Sequence, residues 1–271
     1  MEYRLQVSSS IIPFREKAER TWNIKRYKFP KDIYEPTIFF GMYHPGDYYH
    51  FLRHLGKKIV LWAGYDIVNL LNVKLPIAKL FKNAENYVEN ELEQEELEKL
   101  GIEAKVRPSF VEDIDDFPVS FKPSKNPHVF MSSNISREEE YGFGIIGRIA
   151  EKVPEITFHL YGGEILEKPV QGGNIILHGR VSNERFNEEI KQYHCGLRPN
   201  EHDGFSEILA KSILMGQYPI SRIKYPYIDN YNSEEELVWL LKELKNKKEP
   251  NYYARGFFRN YVNNYPWVKN E

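Results

Sequence analysis

Short apolar runs closed by turn residues recur along this chain, and the stretches between them carry apolar side chains at helical spacing. Residues 37–42 (Thr-Ile-Phe-Phe-Gly-Met) and 58–63 (Lys-Ile-Val-Leu-Trp-Ala) are nearly continuous apolar runs, the pattern of strands covered on both faces. Between them, residues 47–55 place apolar and aromatic residues on one helical face and stop at Gly56, the residue type that ends helices. Together they predict a βαβ unit. The alternation continues with a strand at 86–88, an acidic helix at 89–100 closed by Gly101, and a strand at 104–107.

The rhythm then breaks. Residues 108–127 hold Pro108, Pro118, Pro123 and Pro127 among acidic and polar residues, which suits a connection between domains and puts the boundary near residue 124. Strands at 128–132, 157–161, 175–178, 196–198 and 218–221 follow, interleaved with helices at 142–152, 183–193 and 206–215. The pattern predicts an α/β protein of two Rossmann-like, doubly wound domains facing a cleft, with ligands held where strands end. No repeat of fixed period is present.

A length of 271 residues suits two compact domains. The 37 Lys and Arg nearly balance the 39 Asp and Glu, so no general field draws in nucleic acid, and no nucleic-acid partner is expected. Cys195 is the only cysteine and no charged-then-apolar leader opens the chain, which favours a cytoplasmic setting. No apolar run approaches the roughly 20 residues of a membrane span. One stretch, Arg20 to Lys31, interleaves basic and aromatic residues. It reads either as a solvated basic face or as a peripheral contact with an anionic membrane surface.

The richest stretch for chemistry is Leu197 to Ile220. A strand ends, a polar loop turns at Gly204, and a helix begins near Ser206, so backbone N–H groups converge at a positive helix terminus suited to phosphate. The order of strand, Asp203, Gly204-Phe205-Ser206, helix, Gly216 and Pro219-Ile220 resembles the donor-site signature of the group 1 (family 4) retaining glycosyltransferases of the GT-B fold. In that family two glutamates stand eight positions apart. Asp203 falls on the first position and Lys211 on the second, where a lysine cannot accept hydrogen bonds from a ribose. Glu207, one helical turn before Lys211, is a substitute, with Lys211 then facing phosphate or pairing with it.

The resemblance extends over roughly the last 145 residues. His159 to Glu164, Asn174 to Val181 and Asn183 to Arg198 resemble successive elements of the family, 233–246 its late amphipathic helix, and 252–267 its terminal helix that returns to the first domain. It implies an acceptor-side domain at 1–124, a nucleotide-sugar domain at 125–250 and a returning helix at 251–271. The expected activity is metal-independent transfer of a sugar, hexosyltransferase-like and with retention, from a nucleotide-sugar donor to a glycan or lipid-linked hydroxyl acceptor. The nucleotide-sugar is a substrate, and no cofactor is expected. Donor contacts fall on Arg137, Asp203, Gly204, Phe205, Ser206, Glu207 and Lys211. Arg137 is the basic residue where the family clamps the diphosphate, and its alternative role is a surface pair with Glu138 to Glu140.

On the acceptor side, Gly41 to Asp47 and Trp62 to Asp66 link strand ends to helix starts. They offer His44, Asp47 and Asp66 as catalytic or acceptor-binding residues, with helix capping the alternative for the two aspartates. Family members often place a histidine near the transferred sugar, which His44 matches. Gly142, Gly144 and Gly147 spell a dinucleotide fingerprint with Glu164 downstream, but three successive glutamates intervene between strand and first glycine. His50 and His54 lack a third metal ligand, and Cys195 beside His194 lacks an orienting group, so both pairs read as ordinary packing. Two further readings stay open: a sugar-nucleotide epimerase, and a non-catalytic nucleotide or sugar binder of GT-B descent.

Overall fold

A computed structural model describes residues 2–72, 78–133, 141–162 and 173–267. The chain divides into two compact units: Met1–Asp113 with His202–Phe205 and Asn260–Glu271, and Ile114–Glu201 with Ser206–Arg259. Two short downstream segments thus belong to the first unit. The main break, at 113, falls earlier in the Pro-rich stretch than residue 124.

The first unit contains β1 (Arg4–Val7), α1 (Pro13–Thr21), β2 (Lys25–Arg26), β3 (Thr37–Phe40), α2 (Pro45–Arg53), β4 (Lys58–Leu61), α3 (Tyr65–Leu71), α4 (Ala78–Phe81), β5 (Glu85–Val88), α5 (Glu91–Lys99) and β6 (Lys105–Val106). Its six strands are all parallel in the order β2-β1-β3-β4-β5-β6, so the winding reverses between β1 and β3. All four residues of β3 are buried, as a strand covered on both faces requires. Phe39, Val60 and Val88 pack with Phe51, Ile67, Phe81 and Leu97 from the helices of one face. On the other face Phe40 meets Trp22, which packs edge-on against Tyr265 and Trp267. The end of the described chain is therefore part of the first unit's core.

The stretch from Arg20 to Lys31 leaves one of its three aromatic residues, Phe29, exposed among its charges. Trp22 and Tyr27 are buried, while Arg26 pairs with Glu19 at 2.6 Å and Lys25 with Glu2 at 3.3 Å. Among the described residues no helix is long and apolar enough to cross a membrane.

The second unit contains β7 (His128–Ser132), α6 (Phe143–Lys152), β8 (Thr157–Tyr161), β9 (Ile175–Gly179), α7 (Asn183–Glu189), β10 (Cys195–Arg198), α8 (Glu207–Leu214), β11 (Ile220–Ser221), β12 (Asp229–Asn230) and α9 (Glu234–Glu243). The helix α10 (Tyr252–Asn263) ends in the first unit. The sheet is again all parallel, in the order β12-β11-β10-β7-β8-β9, reversing between β7 and β10.

One face of this sheet is apolar: Val129, Met131, Phe158 and Leu160 pack against Ile146 and Ile149 of α6 and Leu237 and Leu241 of α9. The other carries polar rings. His128 Nδ1 is 2.8 Å from His159 Nε2, His159 Nδ1 is 2.9 Å from His178 Nε2, and His178 Nδ1 is 3.4 Å from Glu189 Oε2. Tyr161 donates its hydroxyl to Glu189 at 2.6 Å, and Tyr193 stacks on His159 at 4.2 Å. Strand β10 lies directly under α8. A Cβ on Gly196 would stand 2.8 Å from the Ile208 carbonyl oxygen, so only glycine permits the approach, and Gly196 N–H donates to Ser212 Oγ at 2.9 Å.

Candidate functional site

In open parallel sheets ligands gather beyond the C-terminal ends of the strands where the winding reverses. In the first unit that place is formed by the residues after β1 and β3. Ser8, wholly buried, donates its hydroxyl to Asp47 Oδ2 at 2.6 Å, and the same oxygen accepts the His44 N–H at 2.8 Å. Asp47 thereby holds the start of α2. The exposed His44 ring places Nε2 2.8 Å from Ser10 Oγ. Of the residues expected there, His44 offers solvent an imidazole, whereas Asp47 is engaged in the turn. Ser8 and Ser10 were outside the expected set because β1 was not anticipated.

Asp66 sits one strand further along and is completely buried. Its carboxylate accepts N–H bonds from Met42 at 2.8 Å, Ala63 at 3.1 Å and Ile67 at 3.0 Å. It ties the turn after β3 to the turn after β4. Burial pushes its pKa up to about 6 against the three N–H bonds, which pull it down.

The next strand end, after β5, meets the segment His202–Phe205, which carries three of the expected donor contacts. Glu89 Oε2 accepts the Phe205 N–H at 2.7 Å, Asn90 Nδ2 donates to the Asp203 carbonyl at 2.9 Å, and Glu96 Oε2 stands 2.9 Å from His202 Nε2. Gly204 is wedged tightly: an added Cβ would overlap Glu89 Oε2, and a Cβ on Gly64 would come within 2.6 Å of the Gly204 N. The other Glu89 oxygen accepts from the Ser109 N–H at 3.2 Å and from its hydroxyl. Glu89 and Glu93 are both enclosed, and burial raises each pKa, with Glu89's charge adding to the effect on Glu93. None of Glu89, Asn90 or Glu96 was singled out in the sequence, where 89–100 reads as an acidic helix closed by Gly101. The detectable signal was Asn90 three positions before Glu93, whose side chains bond the Glu93 N–H at 3.0 Å and the Glu89 N–H at 2.7 Å.

In the second unit the winding reverses between β7 and β10. Arg198, at the end of β10, donates to the Ser132 carbonyl at 3.3 Å and lies 4.7 Å over the Tyr141 ring. Ser206 caps α8 by accepting the Ile208 N–H at 3.2 Å. Lys211 is buried, with Nζ 3.6 Å from Glu207 Oε2, 3.1 Å from Asn187 Oδ1, and about equally far from the Phe117 and Phe186 rings at 5.5 and 5.4 Å. Of the two roles expected for Lys211, this geometry contains the pairing with Glu207. Asn187, Phe117 and Phe186 complete its surroundings and had no sequence signal of their own. Arg137 and Glu164 lie outside the described residues. His50 and His54 pack among aromatic rings, and among the described residues no cluster of His, Cys, Asp or Glu has the makings of a metal site. Cys195 is buried, and burial raises its pKa far above that of a reactive thiol.

No protein-family model matches the chain, and no curated protein matches it in sequence. Solved structures match it in fold. They include the pneumococcal O-GlcNAc transferase GtfA in complex with UDP and GlcNAc, at 15% identity and TM-score 0.52, over 83% of this chain and 54% of that one. The apo form of the lipopolysaccharide outer core galactosyltransferase WaaB matches at 13% identity and TM-score 0.63, over 94% and 78%. HepE from Anabaena, in complex with UDP and glucose, matches at 10% identity and TM-score 0.62, over 96% and 95%. The chain spans about half the length of GtfA. The likeness is one of fold: two parallel six-stranded sheets with the layout of GT-B glycosyltransferases.

Proposed function

We propose that this chain is a glycosyltransferase that moves a sugar from a nucleotide-sugar donor to a hydroxyl acceptor with retention of configuration. The observation that carries this reading is the likeness to HepE over nearly the whole of both chains, because that structure holds UDP and glucose. The residue-level resemblance around Asp203 to Lys211 is independent support.

In this reading the donor is held by the stretch Asp203 to Lys211, through Asp203, Gly204, Phe205, Ser206, Glu207 and Lys211. The N–H groups opening α8 and the Arg137 guanidinium stabilise the departing diphosphate, a role that needs fixed donors and no protein nucleophile. Glu207 takes the ribose hydroxyls, its charge balanced by Lys211 at 3.6 Å. On the acceptor side His44 is the reacting-centre residue, with Ser10 orienting its ring, while Asp47 and Asp66 shape the turns that present it. The leaving phosphate receives the acceptor proton. Metal independence, a hexose donor, a glycan or lipid-linked acceptor and a cytoplasmic, membrane-surface location belong to the same proposal.

The test is a thermal-shift screen with UDP-glucose, GDP-mannose and ADP-glucose, followed by turnover of whichever binds. A donor present at 100 times its Kd stabilises the protein by about 2.7 kcal/mol. Absence of stabilisation by every diphosphate sugar would sink the reading. Burial of Lys211 against Glu207 favours a second reading, a non-catalytic binder, since the nearest carboxylate is already paired. Binding without hydrolysis or transfer, across a panel of sugar acceptors, would select that reading.

A further inference from the structure

The segment His202–Phe205 is an excursion of four residues from a chain that is otherwise building the second unit, and it belongs to the first. Short polar turns of this kind hold a fixed shape only when side chains from a rigid element bind their backbone. Here two residues from one small region bind its backbone and a third binds its His202 side chain. Glu89 follows β5, Asn90 caps α5, and Glu96 lies within α5. Between them they take the Phe205 N–H, the Asp203 carbonyl and the His202 ring. Their own positions are fixed from behind. Ser109 bonds the second Glu89 oxygen, and Glu93, fully buried, accepts the Glu89 N–H at 2.7 Å. Gly204 fills the remaining gap, with no room for a side chain beside Glu89.

We propose that Glu89, Asn90 and Glu96 form a clamp that sets the shape of the His202–Phe205 turn, and that Glu89 is a positioning residue for donor binding, acting through the turn. The clamp stands on geometry alone. Its effect on the donor rests on the glycosyltransferase reading, in which Asp203, Gly204 and Phe205 touch the nucleotide-sugar. A carboxyl group suits the central place because it accepts from two sides at once, here from Phe205 and Ser109. Alanine removes both acceptors, the one for the Phe205 N–H and the one for Ser109. Glutamine keeps one acceptor, so it restores part of the clamp.

The experiment pairs two readouts on the full chain, amide hydrogen exchange of 202–205 and affinity for UDP-glucose by calorimetry. In Glu89→Ala the exchange of 202–205 accelerates at least tenfold while that of β3 stays within twofold, and the Kd for UDP-glucose rises at least fivefold. Glu89→Gln falls between this variant and the parent in both. Should Glu89→Ala fail to fold, Glu96→Ala on the more accessible side of the clamp serves, with at least a threefold acceleration confined to 202–205. Unchanged exchange at 202–205 overturns the clamp. Faster exchange with unchanged UDP-glucose affinity overturns the positioning role and leaves the donor reading intact. A parent protein that binds neither UDP-glucose nor the other diphosphate sugars overturns the donor reading and the positioning role with it, while the exchange result still decides the clamp.

Discussion

Asparagine at position 66 separates two opposing forces on one enclosed carboxylate. Three backbone N–H groups, from Met42, Ala63 and Ile67, favour the ionised form of Asp66, whereas complete burial favours the neutral one. Burial wins: the pKa stands at about 6 in the folded chain against an ordinary value of 3.8. Below pH 3.8 the group is protonated in both folded and unfolded chains and adds no pH dependence. From there to about 6 the unfolded chain releases its proton first, so stability falls as pH rises, and above 6 the loss is complete. At ~1.36 kcal/mol per pH unit the gap of about two units amounts to ~3 kcal/mol. Asp66→Asn removes the titration without changing the shape of the side chain. Urea denaturation of both proteins at pH 4 and pH 7.5 should therefore show the parent losing ~2.4 kcal/mol relative to the variant on going to the higher pH, the remainder having been lost below pH 4. A difference that stays constant within 1 kcal/mol, or a parent that gains with pH, would mean the N–H bonds outweigh burial and would refute the ordering of forces argued here.

Lys211→Glu, which would place here the second glutamate of the signature this loop resembles, puts a buried carboxylate beside Glu207 with no cation between them; it should cost about 3 kcal/mol or more in urea denaturation, and Lys211→Met clearly less. Asn174 donates from one nitrogen toward the carbonyls of Ala150, Val153 and Ile156 at 3.1, 3.1 and 2.7 Å. Asn174→Asp faces those oxygens with a carboxylate and should lose ~2–4 kcal/mol, a loss that shrinks at pH 4, where the new acid protonates. His159 is held down to about 4 by burial and by the neighbouring His128 and His178. Its contribution to stability is intact above pH 6.5 and is lost as pH falls toward 4, by up to about 3 kcal/mol, so thermal denaturation of His159→Phe should be less acid-sensitive than that of the parent. Equal acid sensitivity would contradict the assignment.

Much of the fold was legible because buried parallel strands are short apolar runs with turn residues at each end. Strands β7 and β8 occupy the residues the pattern assigns to them, and β3, β4 and β10 differ only at their ends. Strand β1 escaped because Arg4, Leu5, Gln6 and Val7 offer too few apolar positions to stand out, and with it went Ser8 and Ser10. In the 20–31 stretch charge masked burial: Trp22 and Tyr27 turn inward while the lysines and arginines stay at the surface. The rule that loops after strands carry function points to His44 and the Asp203 turn as candidates. It could not reveal Glu89 or Glu96, whose partners lie more than a hundred residues away in the chain. Nor could it separate Asp66 from His44, since both follow strands and only packing decides which is enclosed.

The row of histidines on the second sheet carries a consequence for where its protons sit. Glu189, whose pKa is lowered by bonds from Tyr161 and Arg185, can only accept, so the His178 tautomer that suits it carries its proton at Nδ1, 3.4 Å away, and leaves Nε2 as an acceptor. His159 must then also be the Nδ1–H tautomer, and so must His128, each handing one hydrogen to the next. Three neutral rings are thus locked into a single tautomeric sense running toward the carboxylate. Within the row, the ring nitrogen that takes part in none of these contacts is His128 Nε2 at its head. A proton added there keeps every bond of the row as it stands, whereas a proton on His159 or His178 keeps them only if the rings on the His128 side switch tautomer. His159, between the other two, is the ring held down to about 4, by burial first and then by the charge His128 and His178 would carry beside it.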